Sequence, residues 1–256
     1  MNSVRLNNRA VYALVQGNLK RANALLDRAL QDFYENLGEE EDEEGMTMQH
    51  PRRIMMMNQH QGLRSVPLHH ELCAYDLTFS PENSFEIYNQ AFFLPLATDT
   101  DGEDPTHLER DEVASVLLCN FGLVLLKRGI LEGKRRAVLL NKSLQIYQMA
   151  VSFLQDEAMM LHHRGDDNQM ERGLRLLQLA AWANLGFIHS HHMEYNKVVN
   201  CKDHIKGIII TTTQDNNHNN GLINTTLPSS PDFAFFLHTV IHMEVCGLPR
   251  DVSPAA

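Results

Sequence analysis

The sequence predicts a mostly α-helical fold of stacked antiparallel helical hairpins with a small β-hairpin insertion. Between Ala22 and Phe33, apolar residues recur every three or four positions, which is the spacing of one buried helix face. A short motif around Trp182 occurs again near Leu118, which indicates a repeated helical unit. Residues 63–79 alternate between apolar and polar instead, so we expect two short strands there.

The composition is that of a globular, acidic chain. Of its 256 residues 43% are apolar, which is enough for a substantial core, and the formal net charge is -10. Nucleic acids and anionic membrane surfaces bind clusters of Lys and Arg, so this charge argues against both as partners. Basic or neutral protein partners fit better.

Cysteine spacing and hydropathy indicate a reducing, intracellular location. The four cysteines lie far apart, without the spacing of a metal site or a disulfide framework, so we expect isolated thiols. Arg and Asn interrupt the apolar residues of the first twenty positions, unlike a secretory signal. The longest apolar run, at 113–126, is too short to span a bilayer and predicts a core helix of a cytoplasmic protein.

The chain divides into three parts by composition. Residues 1–37 predict an N-terminal helical hairpin with its break at Gly17 and Asn18. Residues 38–62 begin with the acidic run GEEEDEEG and continue with a stretch rich in Met, Gln and His, which predicts a mobile linker. Residues 63–256 form the main helical array, and residues 63–79 are its β insertion.

Helix signals continue through the main array. Ser80 and Pro81 can cap and begin a helix whose apolar stripe contains Phe85, Tyr88 and Phe92. The next helix, started by the sequence DP at 104–105, is apolar nearly all round and should be central in the core. Further helices are expected at about 134–162, 170–191, 195–210 and 232–246, with a loop at 214–221.

The repeated motif places the same kinds of residue on one helix face. In WANLG from Trp182 and in LCNFG from Leu118, the first, fourth and fifth residues lie on the same side. The fifth residue, Gly186 or Gly122, leaves room for a second helix to approach. Because such a hairpin cannot cover its own apolar face, it must stack on its neighbours.

These units resemble tetratricopeptide repeats. Arg9 and Ala10 stand where that family prefers Leu and Gly, and the copies are unevenly spaced, so the resemblance implies an irregular TPR-like array. In its acidic, Asn-rich and His-rich composition the chain is also similar to uncharacterised helical-repeat proteins of diatoms and related algae. The similarity to tetratricopeptide repeats lies in the first-helix motif at Trp182 and Leu118 and in the turn and second helix at Gly17, Ala22, Leu26 and Ala29.

One polar residue recurs at the same place in all three copies. Asn8, Asn120 and Asn184 each stand two residues before the Gly or Ala of the first helix, and their helical angle points them away from the paired helix. The resemblance implies that this side lines a concave groove, where a carboxamide offers a donor and an acceptor to an extended peptide backbone. We therefore expect exposed peptide-binding asparagines. The alternative is that they hydrogen-bond a neighbouring helix.

The fourteen histidines raise a metal hypothesis. His238 and His242 lie four residues apart on a predicted helix, as zinc ligands do, and His189, His191 or a distant carboxylate could supply a third ligand. The helix lacks the glutamate that a metalloprotease places between its two histidines. Neutral or surface histidines are more common at helix ends, so we expect no metal and no other cofactor.

Three other stretches suggest chemistry with less specificity. Cys73 follows His69 and His70, but neighbours on a strand usually point apart, which argues against a nucleophile and its base. The acidic run at 39–44 and the methionines at 55–57 could contact a partner, although both are more typical of a linker.

The sequence therefore predicts a non-catalytic scaffold that binds a protein or peptide partner, whose identity these residues do not specify. Asn8, Asn120 and Asn184 are its candidate peptide-binding residues. Two alternatives stay open. One is a metal-dependent enzyme that uses a histidine cluster near the C-terminal helices, and the other is a structural subunit of a larger assembly.

Overall fold

A computed structural model describes residues 2–41, 63–74, 85–95, 110–164, 168–219 and 231–246. Helices dominate these residues, with one two-stranded antiparallel sheet, and this confirms the predicted fold class. The helices are α1 (Asn2–Val15), α2 (Leu19–Glu41), α3 (His70–Ala74), α4 (Arg110–Leu131), α5 (Arg136–Arg164), α6 (Asn168–His191), α7 (Tyr195–Asn219) and α8 (Pro231–Cys246), with a 3-10 turn at Gly133–Arg135 before α5; the strands are β1 (Arg64–Pro67) and β2 (Gln90–Phe93).

Three helical hairpins stack in chain order. Each first helix packs mainly on the helix that follows it, which pairs α1 with α2, α4 with α5 and α6 with α7. The second helix of one hairpin then packs on the first helix of the next. The three first helices also contact one another, α1 with α4 and α4 with α6, so that they form one continuous wall. The last helix, α8, packs on α6 and α7.

Helix α4 is the centre of the core. It is long and apolar enough to cross a membrane by length and composition, but 89% of its apolar window is buried inside the protein, as expected for a core helix. Its Gly122 brings α5 close, because a Cβ at that position would stand 2.9 Å from the ring of Tyr147. The predicted use of glycine as a close-approach residue is confirmed at this position.

The break in the first hairpin follows its local sequence. Gly17 takes a φ of 77°, in the left-handed region that favours glycine, and ends α1. The side-chain oxygen of Asn18 accepts a hydrogen bond from the backbone N–H of Arg21 at 3.0 Å, which caps the start of α2. The predicted turn at these two residues is therefore confirmed.

The β insertion differs from its prediction. Strand β1 lies inside the predicted range 63–79, but residues 70–74 are helical, and the partner of β1 is β2. Strand β2 lies where the spacing of Phe85, Tyr88 and Phe92 predicted a helix, so that prediction is wrong. The physical reason is the environment of residues 85–94, which supplies their backbone hydrogen bonds from distant parts of the chain.

Two predicted boundaries also shift. Helix α7 continues to Asn219, through most of the loop expected at 214–221. Helix α2 continues to Glu41, into the acidic run assigned to the linker. The rest of that linker, residues 42–62, and the helix start expected at 104–105 lie outside the described residues.

Candidate functional site

An extended segment, residues 85–94, lies against the wall formed by α1, α4 and α6, and we call it the groove segment. We call the surface that holds it the asparagine groove, because four asparagines contact the backbone of the segment. They are Asn7 and Asn8 from α1, Asn120 from α4 and Asn184 from α6. The three asparagines singled out in the sequence are therefore brought to one surface.

We call an asparagine side chain that bonds both the N–H and the carbonyl of one segment residue a clamp. The central clamp joins Asn120 to Phe92. The backbone N–H of Phe92 donates to Oδ1 of Asn120 at 2.8 Å, and Nδ2 of Asn120 donates back to the carbonyl oxygen of Phe92 at 2.8 Å. The same Nδ2 also donates to Oδ1 of Asn7 at 2.8 Å, and Asn7 donates to the Phe92 carbonyl at 3.1 Å. Both polar groups of the Phe92 backbone are thus satisfied by side chains.

The outer clamps repeat this arrangement on either side. Asn8 accepts from the N–H of Leu94 at 3.0 Å and donates to its carbonyl at 2.8 Å. Asn184 accepts from the N–H of Tyr88 at 2.9 Å, and its Nδ2 lies 3.5 Å from the Tyr88 carbonyl and 2.8 Å from the hydroxyl oxygen of Tyr147, to which it donates. All three clamps use the side-chain amide as both donor and acceptor.

The clamps replace a missing strand neighbour. They contact residues 88, 92 and 94, which share one edge of the extended backbone. The opposite edge faces β1, where Ala91 pairs with Val66, Phe93 pairs with Arg64, and the N–H of Leu68 donates to the carbonyl of Asn89 at 3.0 Å. Because both edges find partners, the segment need not form the helix that its apolar spacing predicts.

Phe85 anchors one end of the groove segment. Its ring lies over the backbone of Gly186, where a Cβ would stand 2.5 Å from the nearest ring carbon. The predicted role of Gly186, to admit the paired helix, is therefore wrong. This glycine makes room for a side chain of the groove segment instead.

Asp232, in the first turn of α8, binds the Tyr88 end of the groove segment. The Tyr88 hydroxyl donates to Oδ1 of Asp232 at 2.9 Å, Gln90 donates to the same oxygen, and the Ser65 hydroxyl donates to Oδ2 at 2.9 Å. Burial and the neighbouring Asp232 carboxylate both raise the pKa of Tyr88, so its phenol stays neutral and keeps its donor proton. The Tyr88 ring also packs against that of Phe236 in α8, with centroids 4.8 Å apart.

The groove is filled, and its asparagines are buried. Asn8, Asn120 and Asn184 are only 7%, 0% and 2% exposed, so the expectation of exposed side chains is wrong. Burying the apolar side chains of the segment contributes on the order of 10 kcal/mol, at about 1.5 to 3 kcal/mol for each large residue. The buried side chains of the segment are Phe85, Ile87, Tyr88, Ala91, Phe92 and Leu94.

Sequence reasoning missed three members of this site. Asn7 stands beside Asn8 on a helix that is otherwise buried mostly through apolar residues, and that doublet was the available signal. Asp232 and Tyr147 lie on helices that do not carry the asparagine motif. Nothing local in the sequence connects either residue to the groove segment.

The histidines of the metal hypothesis do not come together as a ligand set. Nδ1 of His189 lies 2.6 Å from Oε2 of Glu194, at the turn between α6 and α7. His238 and His242 are in α8 with ring centroids 6.1 Å apart, and both are exposed. Among the described residues there is no group of three His, Cys, Asp or Glu side chains placed to hold a metal ion.

The thiols of Cys119 and Cys201 are buried and not activated. Within the described part of the chain Cys73, Cys119 and Cys201 form no disulfide. Burial raises the pKa of both Cys119 and Cys201 to about 12, which keeps these thiols protonated. Cys73 lies in α3 and not on the predicted strand, and His69 and His70 before it have ring centroids 4.4 Å apart.

Comparison of the chain with known protein families, with curated proteins and with solved structures gives no match. A function for the chain is therefore inferred from the geometry of the asparagine groove.

Proposed function

We propose that the protein is a non-catalytic scaffold whose asparagine groove binds an extended peptide segment of a protein partner. The observation that supports this proposal is the two-point bonding of Asn8 and Asn120 to backbone N–H and carbonyl groups. Such bonds recognise an extended backbone whatever its side chains. In the structure the groove segment occupies the place that the partner peptide would take.

The wall has the features that peptide recognition by backbone pairing requires. Its donors and acceptors are carried by helices α1, α4 and α6, each of which also packs on the second helix of its own hairpin. Asn120 is further oriented by its bond to Asn7, and Asn184 by its bond to Tyr147. Pre-oriented amides lose little conformational freedom on binding, which favours affinity.

Binding of a partner requires exchange with the groove segment. A tethered segment acts at an effective concentration of about a millimolar, so a free peptide at micromolar concentration competes poorly with it. We therefore expect the groove of the intact chain to bind little free peptide at micromolar concentration. A partner that presents a matching segment at high local concentration would overcome this barrier.

The experiment uses an open-groove variant, in which residues 85–94 are replaced by a Gly/Ser stretch of equal length and the rest of the chain is kept. The probe is a fluorescein-labelled peptide with the sequence of residues 85–95, FEIYNQAFFLP. We expect saturable binding by fluorescence anisotropy and a higher melting temperature in the presence of the peptide. The intact chain is the matched control and should bind far more weakly.

A second pair of variants tests the clamp itself in the open-groove background. Asn120→Asp keeps the acceptor for the Phe92 N–H but loses the donor to its carbonyl, and should weaken peptide binding about tenfold or more. Asn141→Ala, at an exposed position of α5, should leave it unchanged.

If the open-groove variant folds poorly, the full chain with Phe85→Ala and Tyr88→Ala is used in its place. These two substitutions weaken the binding of the groove segment to the wall while leaving the segment tethered. If both variants retain their helical circular dichroism and neither binds the peptide, the proposed function is wrong.

A further inference from the structure

The asparagine clamps bond only backbone atoms of the bound segment. Any selectivity of the groove must therefore come from contacts with the side chains of that segment. Two side chains of the groove segment make polar contacts with Asp232, the hydroxyl of Tyr88 at 2.9 Å and the amide of Gln90. Asp232 is 8% exposed, and it begins the α8 face that covers Tyr88. A buried carboxylate in this position needs its donors, because an unsatisfied one is costly.

We propose that Asp232 is the specificity-determining residue of the groove, and that the ligand it selects is an extended segment with a tyrosine at the Asn184 clamp and no acidic side chain at the position of Gln90. This inference rests on the proposed function. It adds a side-chain requirement to a backbone site: a hydroxyl donor opposite Asp232 and an aromatic residue four positions later at the Asn120 clamp.

The surroundings of the carboxylate support this role. The Ser65 hydroxyl donates to Oδ2 of Asp232 at 2.9 Å and leaves Oδ1 directed at Tyr88. The Tyr88 ring is enclosed by Phe236 with centroids 4.8 Å apart and by Phe235 at 5.5 Å, so a tyrosine ring fits where a smaller side chain would leave a void. Ser65 of β1 therefore supplies the donor to Oδ2, and the ligand supplies the donors to Oδ1.

The same carboxylate excludes other ligands. A phosphotyrosine would place its negative charge against Asp232, and an acidic side chain at the position of Gln90 would do the same. A phenylalanine at the tyrosine position would remove the hydroxyl and leave the Gln90 amide as the remaining ligand donor to Oδ1. Because hydrogen bonds to charged groups are strong, we expect the phenylalanine ligand to bind about ten- to a hundredfold more weakly.

A double-mutant cycle between groove and peptide tests the inference. The open-groove variant, with and without Asp232→Ala, is titrated with the 85–95 peptide and with the same peptide carrying Tyr88→Phe. With Asp232 present, we expect the tyrosine peptide to bind at least ten times more tightly. With Asp232→Ala, the two peptides should bind alike. A peptide with Glu86→Gln, changed at an exposed position of the segment, is the matched control and should match the parent peptide.

A charge test uses a milder change in case Asp232→Ala fails to fold. A peptide with Gln90→Glu should bind poorly to the Asp232 groove and recover with Asp232→Asn, which removes the repelling charge but keeps the shape.

The outcomes separate the two proposals. If a folded open-groove variant with Asp232 binds none of the peptides, the proposed function itself fails. If it binds the tyrosine and phenylalanine peptides equally, or discriminates equally after Asp232→Ala, the groove binds peptides but Asp232 does not select them. The specificity inference is then overturned while the proposed function stands.

Discussion

The ring of Phe85 occupies the space where a side chain at Gly186 would begin, with its nearest carbon 2.5 Å from the position of a Cβ. Gly186→Ala should therefore force Phe85 or α6 to move and lower the free energy of unfolding by about 1 to 3 kcal/mol, as overpacking does. Chemical denaturation measures this loss.

Gly207→Ala is the matched control, because it also lies inside a helix but has nothing within 4 Å of the point where a Cβ would stand. It should stabilise the protein by about 0.5 to 1 kcal/mol through helix propensity. If Gly186→Ala is stabilising to the same degree, the contact with Phe85 does not constrain the groove.

The burial of Asn120 leads to a second prediction. Asn120→Ala leaves the N–H of Phe92 without its partner in a dry environment and should cost about 1 to 3 kcal/mol in unfolding free energy. Asn141→Ala, on the exposed side of α5, should change it by no more than about 0.5 kcal/mol. Equal melting temperatures for the two variants would show that the clamp contributes no stability.

Local signals predicted the helices, whereas the groove segment depends on distant residues. The spacing of Phe85, Tyr88 and Phe92 fits one helix face, yet both edges of this backbone are bonded to groups far away in the sequence. Asn120 is 28 residues from Phe92, and Asn184 is 96 residues from Tyr88. No local pattern contains such partners, so helix spacing gave the wrong conformation.

The recurring asparagines identified residues of the site, but they did not show that the groove is occupied. Asn8, Asn120 and Asn184 were singled out because they share one position in three first helices, and the structure places all three on the backbone of one segment. Their burial could not be read from helical angles, because it depends on what lies in the groove. The sequence predicted which residues form the wall, and the fold revealed its occupant.

Trp182 provides a third prediction. It is 9% exposed and stacks on His204, with ring centroids 4.0 Å apart and an angle of 7° between the planes. Trp182→Ala should cost about 3 to 5 kcal/mol, the usual range for a large buried aromatic residue. As this is the one tryptophan in the chain, native emission should be blue-shifted and shielded from iodide. Red-shifted, iodide-accessible emission would contradict the packing of α6 on α7.

The turn between α6 and α7 should respond to pH. Burial lowers the pKa of His189 below its ordinary 6.5, although Glu194 acts in the opposite direction. The folded protein therefore binds this proton less readily than the unfolded chain does. The stability that depends on neutral His189 is complete above pH of about 6.5 and decreases as the pH falls below that value.

The prediction is tested with His189→Gln by measuring unfolding free energy between about pH 7.5 and 5. The substitution should flatten the decline in stability at the acidic end. His70→Gln, at an exposed position, is the control for the loss of an imidazole, and the slope should flatten more in His189→Gln than in this control. A steeper acidic decline in His189→Gln would show that the buried imidazole is not the source.

Recognition of an extended backbone by side-chain amides can be probed through a single backbone atom of the peptide. An ester in place of the peptide bond between Ala91 and Phe92 removes the N–H that donates to Asn120 and adds no bulk. In the open-groove variant, the ester should weaken binding of the 85–95 peptide by about two- to tenfold, as expected for one neutral hydrogen bond. In the same variant with Asn120→Ala, the amide and ester peptides should bind equally. An equal loss with and without Asn120 would contradict backbone recognition by the clamp, because the N–H of Phe92 would then contribute to binding without Asn120.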